Sequence, residues 1–283
     1  MTGIIVKGVG GLYEVLLPDG QRLSCTARGA FRHQGMTPTV GDRVEVRDGA
    51  VDAILPRDNL LVRPPVANIQ LCLTIFSLRQ PQADYLLLDR MLLCAAQQGI
   101  AAKVVFTKTD LAPEELVQKA CAAYAAFGAV GVCAETGQGV AELREALSGL
   151  RCAVAGPSGA GKSSLIAAMY GITLATGELS QKLMRGKHTT REVTLLSTPD
   201  GGLLADTPGF SLLEPVLMDP GEMAAHWPEF SGCGRCGFDD CRHDTEPNCA
   251  VRAAVGEGVP AGRHRRYIEL LHEMEGRWKQ RYR

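Results

Sequence analysis

The stretch GPSGAGKSS, Gly156 to Ser164, combines residue types at a spacing suited to one kind of chemistry. A glycine, four residues, then Gly161-Lys162-Ser163 is a complete Walker A pattern. Its run of small residues (Gly156, Pro157, Ser158, Gly159, Ala160, Gly161) lets backbone N–H groups close around phosphate oxygens. The helix expected from Ser163 and Ser164 onward turns its positive end toward the same oxygens. Lys162 is expected to reach the β- and γ-phosphates and Ser163 to ligate Mg²⁺. Downstream, LLADTPG places Asp206 at the end of an apolar strand, where a Mg²⁺-directed carboxylate belongs, and Gly209 where its N–H can meet a γ-phosphate. D-x-x-G is common by itself; following a Walker A, at a strand end, it is informative.

A phosphate loop does not choose the base. The tetrad Thr107-Lys108-Thr109-Asp110 does, if Asp110 accepts from guanine N1 and N2 while the Lys108 stem packs along the ring. Adenine has no donors at those positions. A capping aspartate in a strand-to-helix loop is the plainer reading of such a tetrad alone. One strand–helix unit later comes CAETGQG, residues 133–139, similar to the Ser-Ala loop whose backbone N–H, at Cys133 or Ala134, contacts guanine O6. In an ordinary GTPase both base loops follow the phosphate loop; here both precede it. Domain termini often lie close together, so the chain can be cut and rejoined without losing a contact. The order therefore predicts a circularly permuted GTPase domain.

Four of the ten cysteines cluster between Cys233 and Cys249. Cys236, Cys241, His243 and Cys249 offer three thiolates and an imidazole, a tetrahedral Zn²⁺ set with no open position. Cys233 is a fifth candidate by spacing alone. The other six (Cys25, Cys72, Cys94, Cys121, Cys133, Cys152) sit among apolar residues and read as core.

Three segments must carry these groups. Residues 1–62 hold short alternating runs between turn signals, a small β-barrel, with an OB-fold and an SH3-like barrel both compatible. RPPVAN, 63–68, reads as a linker. Residues 63–215 alternate strand and helix, which implies a mainly parallel sheet covered on both faces; Asp84 caps one helix and Gly99 ends it. Residues 216–283 hold the Cys/His cluster and a basic tail with seven Arg/Lys against three Glu, interleaved with Tyr267, Trp278 and Tyr282. The tail's arginines suggest RNA; its YIELLHEM stretch suggests a packed amphipathic face. Net charge is −1, so the chain as a whole does not announce a nucleic-acid partner. No apolar run is long enough for a membrane span, and neither the start of the sequence nor its cysteines suggest secretion, so a cytoplasmic protein is expected.

Taken together, the permuted order, NLLVRPPVAN, TKTD, CAETGQG, GPSGAGKSS, GKHTTREV, DTPGF and CGFDDCRHDTEPNCAV resemble the ribosome small-subunit-dependent GTPase family, RsgA-type, over nearly the whole chain. The resemblance implies an OB-fold barrel, a permuted GTPase domain and a C-terminal module with one structural Zn²⁺ on Cys236, Cys241, His243 and Cys249. It implies GTP hydrolysis with Mg²⁺, stimulated by the small ribosomal subunit, by a monomeric late maturation factor that binds rRNA and leaves after hydrolysis. GKHTTR, 186–191, is then switch I, with Thr190 as a Mg²⁺ ligand and His188 orienting water; by spacing alone Thr189 equals Thr190, and His188 reads equally as an exposed loop histidine. Thr107 stands where the family's motif usually has Asn, and Cys133 where it has Ser. Phe210 occupies the position of the water-positioning Gln of Ras-type enzymes, so intrinsic hydrolysis is expected to be slow. Because the zinc segment follows the D-x-x-G strand directly, nucleotide state is expected to set the orientation of the C-terminal module. Two other readings fit the motifs less completely: a P-loop ATPase or small-molecule kinase with a zinc module, and a GTP-regulated RNA-binding protein with negligible catalysis.

Overall fold

A computed structural model describes residues 1–28, 31, 36–62, 64–172, 193–206 and 215–281. His188, Thr189, Thr190, Gly209 and Phe210 lie outside the described residues.

The first five strands are β1 (Thr2–Val9), β2 (Leu12–Leu16), β3 (Arg22–Ala27), β4 (Arg43–Arg47) and β5 (Ala50–Ile54). They run in the order β1-β2-β3-β5-β4, and β4 closes back on β1. β3 and β5 pair in parallel. That non-meander closure is the Greek-key barrel of an OB-fold, which decides between the two barrels the pattern allowed. Alternate residues (Ile5, Val15, Cys25, Val44, Val46, Val51) fill the interior.

The expected linker is not a free tether. β6 (Leu60–Val62) and β7 (Pro65–Ala67) form a hairpin. Behind it Asn68, fully buried at a positive φ of 57°, accepts from Asp58 N (2.8 Å), donates to Gly41 O (2.9 Å), and through its own carbonyl receives Arg151 Nε (2.8 Å). Barrel and phosphate-loop strand thus share one polar anchor.

The GTPase domain follows: β8 (Leu71–Ser77), α1 (Tyr85–Gln97), β9 (Ala101–Thr107), α2 (Glu114–Ala123), β10 (Val130–Gly131), α3 (Val140–Ala146), β11 (Arg151–Ala155), α4 (Lys162–Tyr170), β12 (Thr194–Ser197) and β13 (Leu203–Asp206). α1 begins where the sequence predicts, with Asp84 accepting from Leu87 N (3.0 Å). The sheet order is β10-β9-β8-β11-β13-β12, parallel except for β12. Counted from the phosphate-loop strand β11, the chain visits β12 and β13 after it but β8, β9 and β10 before it, the permuted order. β12 also pairs with β1 at Lys7↔Thr194, so barrel and GTPase strands form one eleven-stranded sheet. Burial holds the Cys72 and Cys152 thiols up at about 12, so these are inert core residues.

The C-terminal module has 3₁₀ turns at Pro220–His226 and Pro228–Phe230, a short α5 (Ala250–Ala253) and a long α6 (Ala261–Lys279). α6 buries Tyr267, Leu270, Leu271 and Met274, spaced three and four apart, against Trp227, Phe230 and, from α1, Leu93. The packed-face reading of YIELLHEM is the one the fold adopts. Two tail arginines differ from expectation: Arg263 and Arg266 point inward, paired with Asp89, and Tyr267 is fully buried, so none of these is a surface for RNA. No helix of the described residues is long and apolar enough to cross a membrane.

Candidate functional site

The phosphate loop joins β11 to the first turn of α4, and its first residue shows why glycine is needed. Gly156 has φ +141°, and a Cβ there would lie 2.0 Å from the Ile75 carbonyl oxygen of the neighbouring β8. Lys162 Nζ donates to the carbonyls of Gly156 (2.8 Å) and Pro157 (2.7 Å). The ammonium is therefore held inside the loop's curve, and burial lowers its pKa from the ordinary value. Ser163 is half-buried in the first turn of α4 and Ser164 is exposed beside it. Ser158 and Gly159 are exposed at the loop's tip, while Ala160 is buried under it. Asp206 ends β13; since Ala205 pairs with Ala153 in parallel register, Asp206 emerges at the same sheet end as the phosphate loop. The first turn of α4, with Ser163, and the end of β13 thus stand at one edge of the sheet.

β9 delivers the tetrad to that same end. Thr107, only 2% exposed, donates through its hydroxyl to Ala160 O (2.5 Å). Lys108 sits at a left-handed φ of 54°, and its Nζ donates to Gly159 O (2.8 Å) and Gln80 O (2.5 Å). Two successive residues of the base loop therefore grip two successive carbonyls of the phosphate loop. The threonine in place of asparagine still braces the loop. Thr109 is buried, with its N–H toward Val132 O (3.5 Å) and its hydroxyl without a partner among the described residues.

Asp110 is exposed, with its carboxylate open to a base. The thiol of buried Cys133 donates to Asp110 Oδ1 (3.0 Å), so the cysteine's side chain orients the carboxylate. The Cys133 backbone N–H is occupied by Gln138 O (2.9 Å). Of the two candidate donors to guanine O6, Ala134 is therefore the better placed. Gln80 entered no sequence motif; only its fold neighbours mark it. The same holds for Ser77, whose hydroxyl accepts from Arg79 N and Gln80 N and shapes that turn.

The second centre lies in the C-terminal module. One ligand atom from each of Cys236, Cys241, His243 and Cys249 falls within 4.8 Å of every other. His243 Nδ1 lies 3.6, 3.5 and 3.4 Å from the sulfurs of Cys236, Cys241 and Cys249, and the Cys236 and Cys249 sulfurs are 4.0 Å apart. Bonds of ~2.3 Å to sulfur and ~2.0 Å to nitrogen at tetrahedral angles require separations of roughly 3.5–3.8 Å, so the donor set fits Zn²⁺. Burial lowers the His243 pKa, which favours the neutral ring that ligates metal. Although burial alone would raise Cys236, N–H groups of Ala250 and Val251 at the start of α5 bring its thiol below the ordinary value. Cys233 points elsewhere, its sulfur 3.5 Å from Glu229 O. The ligand loop is fastened to α6: His264 Nε2 meets His243 O (2.9 Å) and Tyr267 Oη donates to Arg242 O (2.8 Å).

Comparison with known proteins agrees with this layout. The sequence model of the RsgA GTPase family matches residues 54–215, and that of the RsgA N-terminal domain matches residues 2–51. A protein of Caldanaerobacter subterraneus subsp. tengcongensis, named small ribosomal subunit biogenesis GTPase RsgA, is 41% identical over 100% of this chain and 98% of its own. A protein of the same name from Moorella thermoacetica is 40% identical over 98% of each. Among solved structures, YjeQ from Thermotoga maritima superposes with a TM-score of 0.86 at 34% identity, covering 97% of this chain and 98% of that one. YloQ, described as a circularly permuted GTPase, does so with a TM-score of 0.80 at 30% identity, covering 98% and 95%. With its barrel, its permuted sheet and its phosphate loop gripped by the preceding base loop, the chain belongs to the RsgA GTPase family.

Proposed function

We propose that this protein hydrolyses GTP as a late maturation factor of the small ribosomal subunit, binding rRNA and leaving after hydrolysis. One observation carries the GTPase reading: the hydrogen bonds from Thr107 and Lys108 to Ala160 and Gly159, which unite a guanine-reading loop with a phosphate loop that follows it in the chain. The ribosomal setting rests on the relatives' names. Phosphate loop, base loops and zinc ligands all come from one chain, which suits a monomer, and a ribosomal role suits the cytoplasm.

Guanine enters between Asp110 and the Lys108 stem, with Ala134 offering its N–H to O6. The phosphates lie in the curve of Gly156–Gly161, where Lys162 exchanges its two loop carbonyls for phosphate oxygens. Ser163, with Asp206 and Thr190 as the family resemblance implies, would hold Mg²⁺, which would supply charge neutralisation to the phosphates. By the family resemblance, Gly209 would offer its N–H to the γ-phosphate. By the family resemblance, His188 would orient the attacking water, since the Phe210 side chain has no hydrogen-bonding atom to do so. The four-ligand zinc site has no open position and is structural, one ion per chain. The test is GTP turnover by zinc-loaded protein with and without purified small subunits, beside Lys162→Ala. Stimulation by subunits that Lys162→Ala abolishes is expected; equal turnover with and without subunits refutes the ribosomal assignment.

A further inference from the structure

Between the GTPase domain and the zinc module lies a buried charge cluster that neither catalysis nor metal binding uses. Asp89, in the middle of α1, is fully buried, and its two oxygens are shared between arginines of α6. Arg263 Nη1 donates to Oδ1 (2.5 Å) and Arg266 Nε to Oδ2 (2.5 Å). Tyr124, just after α2, donates its hydroxyl to Asp89 Oδ1 (2.7 Å) and accepts from Arg266 Nη2 (3.0 Å). On its other edge Arg263 makes a two-point contact with Glu229 (2.7 and 3.1 Å). Its guanidinium carbon lies 5.1 Å from each of three rings: Tyr124 and Phe127 of the GTPase domain, and Trp227 of the module. Burial alone would lower the Arg263 pKa, but the charges of Asp89 and Glu229 outweigh it and hold the group above its ordinary value.

We infer that this cluster clamps the zinc module and the GTPase domain into one rigid body, so that exchange of GDP for GTP does not re-aim the module. Separating α6 from α1 would strip Asp89 of both cations and Arg263 of one carboxylate and two ring faces. Leaving such a charge uncompensated disfavours the opened form by a factor of roughly 10² to 10⁴. Direct continuity from the D-x-x-G strand does not bypass the clamp. Where the described chain resumes, Pro215 O accepts from Arg277 of α6 (3.1 Å), and the Gln97 side chain of α1 holds both the N–H and the carbonyl of Val216 (2.9 and 2.8 Å). The far end of the switch connection is thus fastened to both halves of the same body, and a pull on it has nothing to turn. This revises the orientation change that chain order suggests. A partner bound through the zinc module meets the nucleotide site at a constant distance, and nucleotide state must be reported by other surfaces.

The experiment is pulsed electron–electron distance measurement on the full zinc-loaded chain. Spin labels go on noncanonical residues replacing exposed Glu115 of α2 and exposed Glu257 of the module. Spectra are taken with GDP and with a non-hydrolysable GTP analogue, occupancy being measured separately because it bears on the GTPase reading rather than on the clamp. One distance distribution, equal in centre and width for both nucleotides, is expected. A nucleotide-dependent shift of the centre beyond the distribution's width overturns the proposal. Asp89→Asn and the milder Glu229→Gln should each broaden the distribution; unchanged widths in both overturn it as well.

Discussion

Replacing Thr107 by valine removes one hydroxyl and keeps the side chain's shape, so no cavity follows. What is lost is the 2.5 Å donation to Ala160 O, made between two residues that are 2% and 0% exposed. Leaving a buried carbonyl without its donor costs about 1–3 kcal/mol. Ala160 belongs to the loop that wraps phosphate, so the penalty falls on the binding-competent conformation and weakens nucleotide by roughly 5- to 150-fold. GTP and GDP should weaken by the same factor, because both present phosphates to this loop. The preference for guanine over adenine should stay, because Asp110 is untouched. Thr107→Asn restores the motif's usual amide and should bind at least as tightly as the parent. Titration of the variants with fluorescent GDP and GTP analogues, beside thermal melts, measures all of this. Unchanged affinity for both nucleotides in a variant whose melting temperature has dropped would show that the bond serves only the fold, and the coupling of base loop to phosphate loop would be refuted.

Asp110→Asn should weaken GTP by about 10- to 100-fold, the modest range for an exposed hydrogen-bonding carboxylate, and shift preference toward xanthosine triphosphate; competition titration reads both. Cys241→Ser should take the zinc content from one ion per chain to none and lower the melting temperature, whereas Cys233→Ser should keep the metal; elemental analysis of purified variants decides. Glu273 makes a two-point contact with Arg90 (2.7 Å each), which holds its carboxyl below the ordinary 4.5. A depressed folded pKa means the stabilisation is present above the ordinary value and is lost as pH falls through the lower one. In urea unfolding, Glu273→Gln should therefore cost about 0.5 kcal/mol at neutral pH, and the difference from the parent should shrink as pH falls below the ordinary 4.5.

Much of the chemistry was readable because it is local. The Walker A pattern needs only a few consecutive residues between a strand and a helix, and the zinc ligands lie within fourteen positions, Cys236 to Cys249. Asp84 capping α1 is likewise local, spanning only the four residues to Leu87. Where the readings stopped short, a distant partner decided. OB-fold and SH3-like barrels share strand lengths and alternation; the parallel β3–β5 pairing separates them. The segment 63–68 reads as a linker by its prolines, yet Val66 and Ala67 are fully buried and Asn68 joins barrel to GTPase domain. Arg263 and Arg266 read as a basic surface because nothing within their helix neutralises them. Asp89, some 174 positions earlier, does. The one hint was an acid on the apolar face of α1, a position that requires a buried partner.

By itself the sequence determined which atoms are available to phosphate, guanine and zinc, and the order in which the chain presents them. Such groups act through backbone geometry and ligand spacing set within a few residues. Only the tertiary structure decided that Thr107 and Lys108 meet the phosphate loop some fifty positions away, that Cys133 steers Asp110, and that the tail's arginines lock two domains together. Those contacts depend on which strands neighbour one another and which charges leave water together, and that is settled by burial over the whole chain rather than by any short run of it.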